Sequence, residues 1–229
     1  MMKGQHGGID RDQLASLARA HGWLLTQALE VSADPVLLIL AHGAGAPMDS
    51  AFMEDMATRL AAQGVGVLRF EFPYMAQRRE GGGKRPPNPQ EQLLECWRRV
   101  HAAARECCKG RLAIGGKSMG GRMASLLADE LGVQSLVCLG YPFYAAGKPE
   151  KPRVAHLENL RTRTLIVQGE RDALGNRETV TGYALSPAIE ILWIATGNHD
   201  LKPLKTSGLE EGEMRQRTAA AVAEFLRRG

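Results

Sequence analysis

Short, almost wholly apolar runs recur along this chain, each joined to a segment of helical periodicity. Val36–Leu40, Val65–Phe70, Ser135–Leu139, Thr164–Val167 and Ile189–Ile194 carry no more than one polar side chain each. A strand that is apolar on both faces must be covered on both faces, which is the condition of a parallel sheet sandwiched between helices. The intervening segments supply those helices. Phe52, Met53, Met56 and Leu60 share one face of a helix that Asp49 or Ser50 can cap and Gly64 ends. Gln90–Cys107 turns Leu93, Leu94, Trp97 and Val100 inward, and Glu211–Arg227 does the same with Met214, Val222, Phe225 and Leu226. Ahead of the sheet, Gln13–Ala20 reads as a short helix and Trp23–Val31 as a strand. A further helix is expected at Glu178–Leu185. The Pro- and Gly-rich stretch "PYMAQRREGGGKRPPNP", from Pro73, reads as one long loop, and Tyr141–Asn159 as another.

With 229 residues, 44% of them hydrophobic, the chain suits one α/β domain spanning residues 1–229, with 1–22 as an N-terminal extension. Basic residues number 29 and acidic ones 25, and the two signs are interspersed, so no nucleic-acid footprint is expected. Cys96, Cys107, Cys108 and Cys138 form no Cys-x-x-Cys pair and are expected as buried thiols in a reducing compartment rather than metal ligands. No apolar run is long enough for a signal core or a bilayer span, so a cytoplasmic protein with no membrane partner is expected.

In a sheet of this kind reactive groups gather at the carboxyl ends of the strands. One such end reads "GGKSMGG", residues 115–121. Gly-Lys-Ser is how a phosphate-binding P-loop ends, but the glycine that should stand at position 111 is Arg111, and Leu112, Ala113 and Ile114 form a strand rather than a phosphate-wrapping loop. Gly-x-Ser-x-Gly fits better as a nucleophile elbow. Arg111–Gly115 is its strand, Gly116–Gly120 its turn, and Arg122–Leu131 its helix, with Met123, Leu126, Leu127 and Leu131 at helical spacing.

Partners for Ser118 follow other strands. Asp172 in "QGERDALG" is the chosen acid, with Glu170 and Asp200 as rivals. His199 in "TGNHDLKP" is the base, because it alone of six histidines lies beyond the last strand. His42 is expected to support its own loop by hydrogen bonding. That loop, "HGAGA", has the small residues an oxyanion hole needs, with backbone N–H donors from Ala44 and from Met119, and Gly45 as second choice. Gly45, Tyr74, Arg78 and Arg79 are the candidate substrate contacts. Arg78, Arg79, Lys84 and Arg85 would read an anionic substrate if their loop rims the site. A solvated loop is preferred, since exposed charges usually contribute little. Arg122 is expected in a structural ion pair.

The order Ser118, Asp172, His199 is that of the α/β-hydrolases. "HGAGAPMD", "RFEFPYM", "GGKSMGGRMAS", "VQGERDALG" and "GNHDLKP" together resemble the small α/β-hydrolase family that includes the Tex and KANSL-type hydrolase-like proteins and their bacterial relatives. The likeness runs from about Val36 to Gly229 and extends more distantly to dienelactone hydrolases, which carry Cys where Ser118 stands. It implies the α/β-hydrolase fold and a hydrolase-type site; the chain is short for that fold and neither long loop reads as a helical lid, and the expected chemistry requires no metal or cofactor. The expected activity is that of a serine hydrolase on a carboxylic ester or thioester. The alternative is an interaction subunit that kept the fold and not the chemistry, as in the nuclear relatives. The expected partners are a small-molecule acyl substrate and a second copy of the chain in a homodimer.

Overall fold

The computed structural model describes residues 8–30, 34–81, 83 and 85–228. Seven strands form one sheet: β1 (Leu24–Thr26), β2 (Val36–Ala41), β3 (Val65–Phe70), β4 (Arg111–Lys117), β5 (Ser135–Leu139), β6 (Arg163–Gly169) and β7 (Ile189–Ile194). Their spatial order is β1-β3-β2-β4-β5-β6-β7. Every neighbouring pair is parallel except the short edge strand β1, which runs antiparallel to β3. Among the described residues seven α-helices accompany them: α1 (Arg11–His21), α2 (Ala51–Ala62), α3 (Pro73–Arg79), α4 (Gln90–Cys107), α5 (Met119–Leu131), α6 (Arg177–Val180) and α7 (Glu211–Arg227).

The period-two geometry of a strand splits the apolar runs between two cores. Leu37, Ile39 and Ala41 of β2 face one way, into a layer with Leu14 of α1, Trp97 of α4 and Met123 of α5. Val36, Leu38 and Leu40 face the other way, onto Met53 and Met56 of α2 and Val222 and Phe225 of α7. Burying β2 completely on both sides is what excludes polar residues from it. The result is an α/β-hydrolase fold with no lid domain.

Four elements differ from the sequence reading. The strand expected over Trp23–Val31 is only Leu24–Thr26, since β3 offers β1 just three residues of register; Val31 lies outside the described residues. The stretch from Pro73 opens as helix α3, because Pro73 sits pre-organised in the first helical turn and Tyr74 and Met75 are buried against the core. Only the part beyond Arg79 is loop, and its Lys84 lies outside the described residues. The helix at Glu178–Leu185 shrinks to the single turn α6. β4 runs on to Lys117 and α5 begins at Met119, so Ser118 alone makes the turn.

Candidate active site

Ser118 has φ 51° and ψ −118°, a strained conformation for a residue with a Cβ. The chain tolerates it because the glycines on either side let the elements close up. A Cβ on Gly120 would stand 2.5 Å from the His42 carbonyl oxygen, and one on Gly116 2.5 Å from the Gly120 carbonyl carbon. The strain lifts the Ser118 side chain clear of the sheet end, where it is half-buried.

Two side chains from loops after other strands line up behind it. His199 Nε2 lies 2.8 Å from Ser118 Oγ, and His199 Nδ1 lies 2.8 Å from Asp172 Oδ2. Asp172 is fully buried. Its Oδ2 also accepts from Gln168 Nε2 at 2.9 Å, and its Oδ1 accepts from the Leu174 backbone N–H at 2.8 Å. A buried carboxylate needs such donors to remain charged. With Nδ1 facing that carboxylate, the imidazole carries its proton there, leaving Nε2 to accept from the serine hydroxyl.

Asp172 follows β6 and His199 follows β7, while β5 stands between them and β4. The His199 loop therefore has to pass over the end of β5, and Gly140 makes room for it. Gly140 has φ 67°, and a Cβ there would lie 2.6 Å from the His199 carbonyl oxygen. Gly132 shares the left-handed conformation, at φ 59°, but has nothing within 4 Å. Gly132→Ala should thus cost only the backbone strain, about 1–2 kcal/mol. Gly140→Ala should cost clearly more in a denaturant melt; equal losses would mean the loop is free to move aside.

The rival carboxylates are engaged elsewhere. Glu170 pairs with Arg177 at 2.7 Å and accepts from the Thr196 backbone N–H at 3.0 Å. Asp200 is largely exposed and stands 3.3 Å from Lys117 Nζ. Lys117, which flanks the elbow in sequence, ties it to the histidine loop by donating to the His199 carbonyl at 2.7 Å. Burial pushes its pKa down, and Asp200 offsets part of that. The ion pair expected at Arg122 is therefore at Lys117. Arg122 has no carboxylate partner among the described residues; its polar contact is with Gln90 Oε1 at 3.3 Å.

His42 is fully buried and holds its loop. Its Nε2 accepts from the Phe72 backbone N–H at 3.1 Å, so Nδ1 donates to the Gly43 carbonyl at 2.7 Å, and burial lowers its pKa. Tyr74 lies behind the same loop, buried, with its hydroxyl donating to the Ala44 carbonyl at 2.9 Å. Two clefts open on Ser118. One, of about 240 Å³, includes Ala44, Gly45, Phe52, Lys117 and His199. The other, of about 470 Å³, includes Ala44, Met119, Tyr144, Arg122 and Arg153. Of the expected substrate contacts, Gly45 lines the first cleft, whereas Tyr74, Arg78 and Arg79 line neither. Arg79 is held by Asp49 and Glu71, at 2.9 and 2.7 Å, in a separate depression that Arg78 also borders. Arg85 is bonded to Gln77. The described residues contain no group of His, Cys, Asp and Glu arranged to hold a metal ion, and none of their helices is long and apolar enough to cross a membrane.

Against protein families, the Alpha/beta hydrolase domain matches residues 34–227. The chain belongs to the α/β-hydrolase family. No curated protein matches this α/β-hydrolase. Similar solved structures include a dienelactone hydrolase from Anabaena variabilis, 17% identical with TM-score 0.68, covering 90% of each chain. An α/β serine hydrolase without a lid from Xanthomonas campestris is 17% identical with TM-score 0.67, covering 90% of this chain and 88% of its own. Est1E from Butyrivibrio proteoclasticus is 14% identical with TM-score 0.64, covering 90% and 94%. At such identities the likeness to the α/β-hydrolase is one of fold.

Behind the larger cleft, His156 Nε2 lies 2.9 Å from Ser125 Oγ, and burial together with the Arg122 guanidinium pushes its pKa down to about 4. Its folded-state pKa is below the unfolded value of 6.5, so its stabilising contribution is full above that value and is lost as pH falls toward about 4. The thermal midpoint of the wild type should fall across that window, and His156→Asn should flatten the fall. An unchanged slope would show that His156 is accessible enough to protonate in the fold.

Proposed function

We propose that this α/β-hydrolase is a serine hydrolase that cleaves a carboxylic ester or thioester through an acyl-enzyme. The observation that carries the reading is the unbroken hydrogen-bond line from Ser118 Oγ through the His199 ring to the buried Asp172 carboxylate. Ser118 attacks the acyl carbonyl while His199 Nε2 takes the hydroxyl proton. Asp172 keeps the imidazole in the required tautomer and stabilises the imidazolium that forms. The negative charge on the carbonyl oxygen is met by the backbone N–H groups of Ala44 and Met119. Met119 opens α5, where the first N–H groups have no partner within the helix. Such donors contribute about 3 kcal/mol each in comparable enzymes. The tetrahedral adduct collapses, and the departing alcohol or thiol takes the proton from His199. A water molecule then attacks the Ser118 ester, His199 again accepts its proton, and the proton returns to Ser118 as the acid leaves.

The five sequence motifs support placing the chain, within its family, beside the Tex and KANSL-type proteins. The four cysteines are buried free thiols, which fits a cytoplasmic setting. A fluorophosphonate probe tests the activity directly. Covalent labelling at Ser118, abolished in Ser118→Ala, is expected; an unlabelled wild type would favour an interaction subunit.

A further inference from the structure

Two arginines on the larger cleft have no role in that chemistry. Arg122 lies in the first turn of α5, its backbone N–H donating to the Ser118 carbonyl at 3.0 Å, and both residues line the larger cleft. Its contact with Gln90 at 3.3 Å is weak, and its buried Nε has no partner. Arg153, exposed in the loop after β5, also lines the cleft and enters no ion pair among the described residues. Arg79, by contrast, is paired with Asp49 and Glu71, Arg98 with Glu130, and Arg177 with Glu170. No Asp or Glu lines this cleft. Burial and the nearby Arg153 charge both act against the Arg122 cation. Two arginines that line one cleft with no carboxylate beside them are complementary to an anion that is not part of the chain.

The position of His199 decides which half of a substrate this is. The departing oxygen or sulfur must take its proton from His199 Nε2, and His199 lines the smaller cleft, not the larger one. The leaving group therefore occupies the smaller cleft, and the acyl chain extends along α5 into the larger one. We infer that the substrate is a monoester or monothioester of a dicarboxylic acid, whose free carboxylate is bound by Arg122 and Arg153. This rests on the serine-hydrolase reading above, and it names residues other than the basic stretch after β3.

Mono-4-nitrophenyl adipate and 4-nitrophenyl hexanoate have acyl chains of the same length and differ in the terminal carboxylate, so the ratio of their kcat/KM values isolates its recognition. The wild type should favour the adipate by about tenfold or more, the scale of charge-assisted hydrogen bonds. Arg153→Met, at an exposed position, and Arg122→Met should each lower that ratio about tenfold, chiefly through KM on the adipate. Arg153→Glu should lower it further and raise relative activity on the 4-nitrophenyl ester of 6-aminohexanoic acid, an outcome that a merely structural arginine would not produce. Hydrolysis of the hexanoate with no preference for the adipate overturns the inference and leaves the hydrolase reading intact. So do losses in the arginine variants that are equal on both esters. Failure on both esters, together with an unlabelled Ser118, overturns the hydrolase reading itself.

Discussion

Ser118→Ala is expected to abolish hydrolysis of 4-nitrophenyl acetate, with kcat falling by about 10⁴-fold or more. The variant loses the proposed nucleophile, and with it the bond between Oγ and His199 Nε2. Little else changes, because alanine keeps the strained backbone at φ 51° and fills nearly the same space. The thermal midpoint should therefore stay within about 3 °C of the wild type. His199→Ala should be almost as inactive, and the double variant hardly worse than either single one, because the two act as a unit. A Ser118→Ala protein that kept most of its activity would remove the elbow from the mechanism.

Asp172→Asn should be the next most damaging change, costing about 10³–10⁴-fold in kcat. The carboxylate accepts from His199, Gln168 and Leu174 at once. An amide has one acceptor oxygen, and its NH₂ would face donors, turning the imidazole to the wrong tautomer. The same mismatch should lower stability by about 1–3 kcal/mol, since a buried polar group is left unsatisfied. Asp200→Asn, at an exposed carboxylate paired with Lys117, should cost less than about tenfold, because Lys117 retains its bond to the His199 carbonyl. Comparable losses in the two variants would move the acid role away from Asp172.

The elements that were legible from sequence are those whose pattern is local and long. α4 and α7 were read to the residue, because eighteen and seventeen residues of amphipathic periodicity leave little choice of boundary. The short elements were not. α3 is seven residues long and begins in a segment whose later glycines and prolines dominate its composition, so its two buried side chains gave too little periodicity to detect. α6 erred the other way: residues near Glu178 look helical, but only one turn forms. At the site, Ser118, His199 and the loop from His42 were legible because each follows an apolar strand. The long-range bonds were not: Arg79 is paired with Asp49 and Glu71, and neither it nor Arg78 lines a cleft on Ser118.

By itself, then, the sequence determined a doubly covered parallel sheet and the order of Ser118, Asp172 and His199 along it, since apolar strands, glycine spacing and chain order are properties of neighbours. The bond that separates Asp172 from its rivals Glu170 and Asp200, the cation that ties down the His199 loop and the arginines that line the cleft beside Ser118 are visible only in the tertiary structure. Those pairings join residues that the order β4-β5-β6-β7 brings side by side. Asp172 and Asp200 are the same residue type, each close in sequence to a strand end, and their chemistry separates only when one is buried under Gln168 and the other is left in solvent beside Lys117.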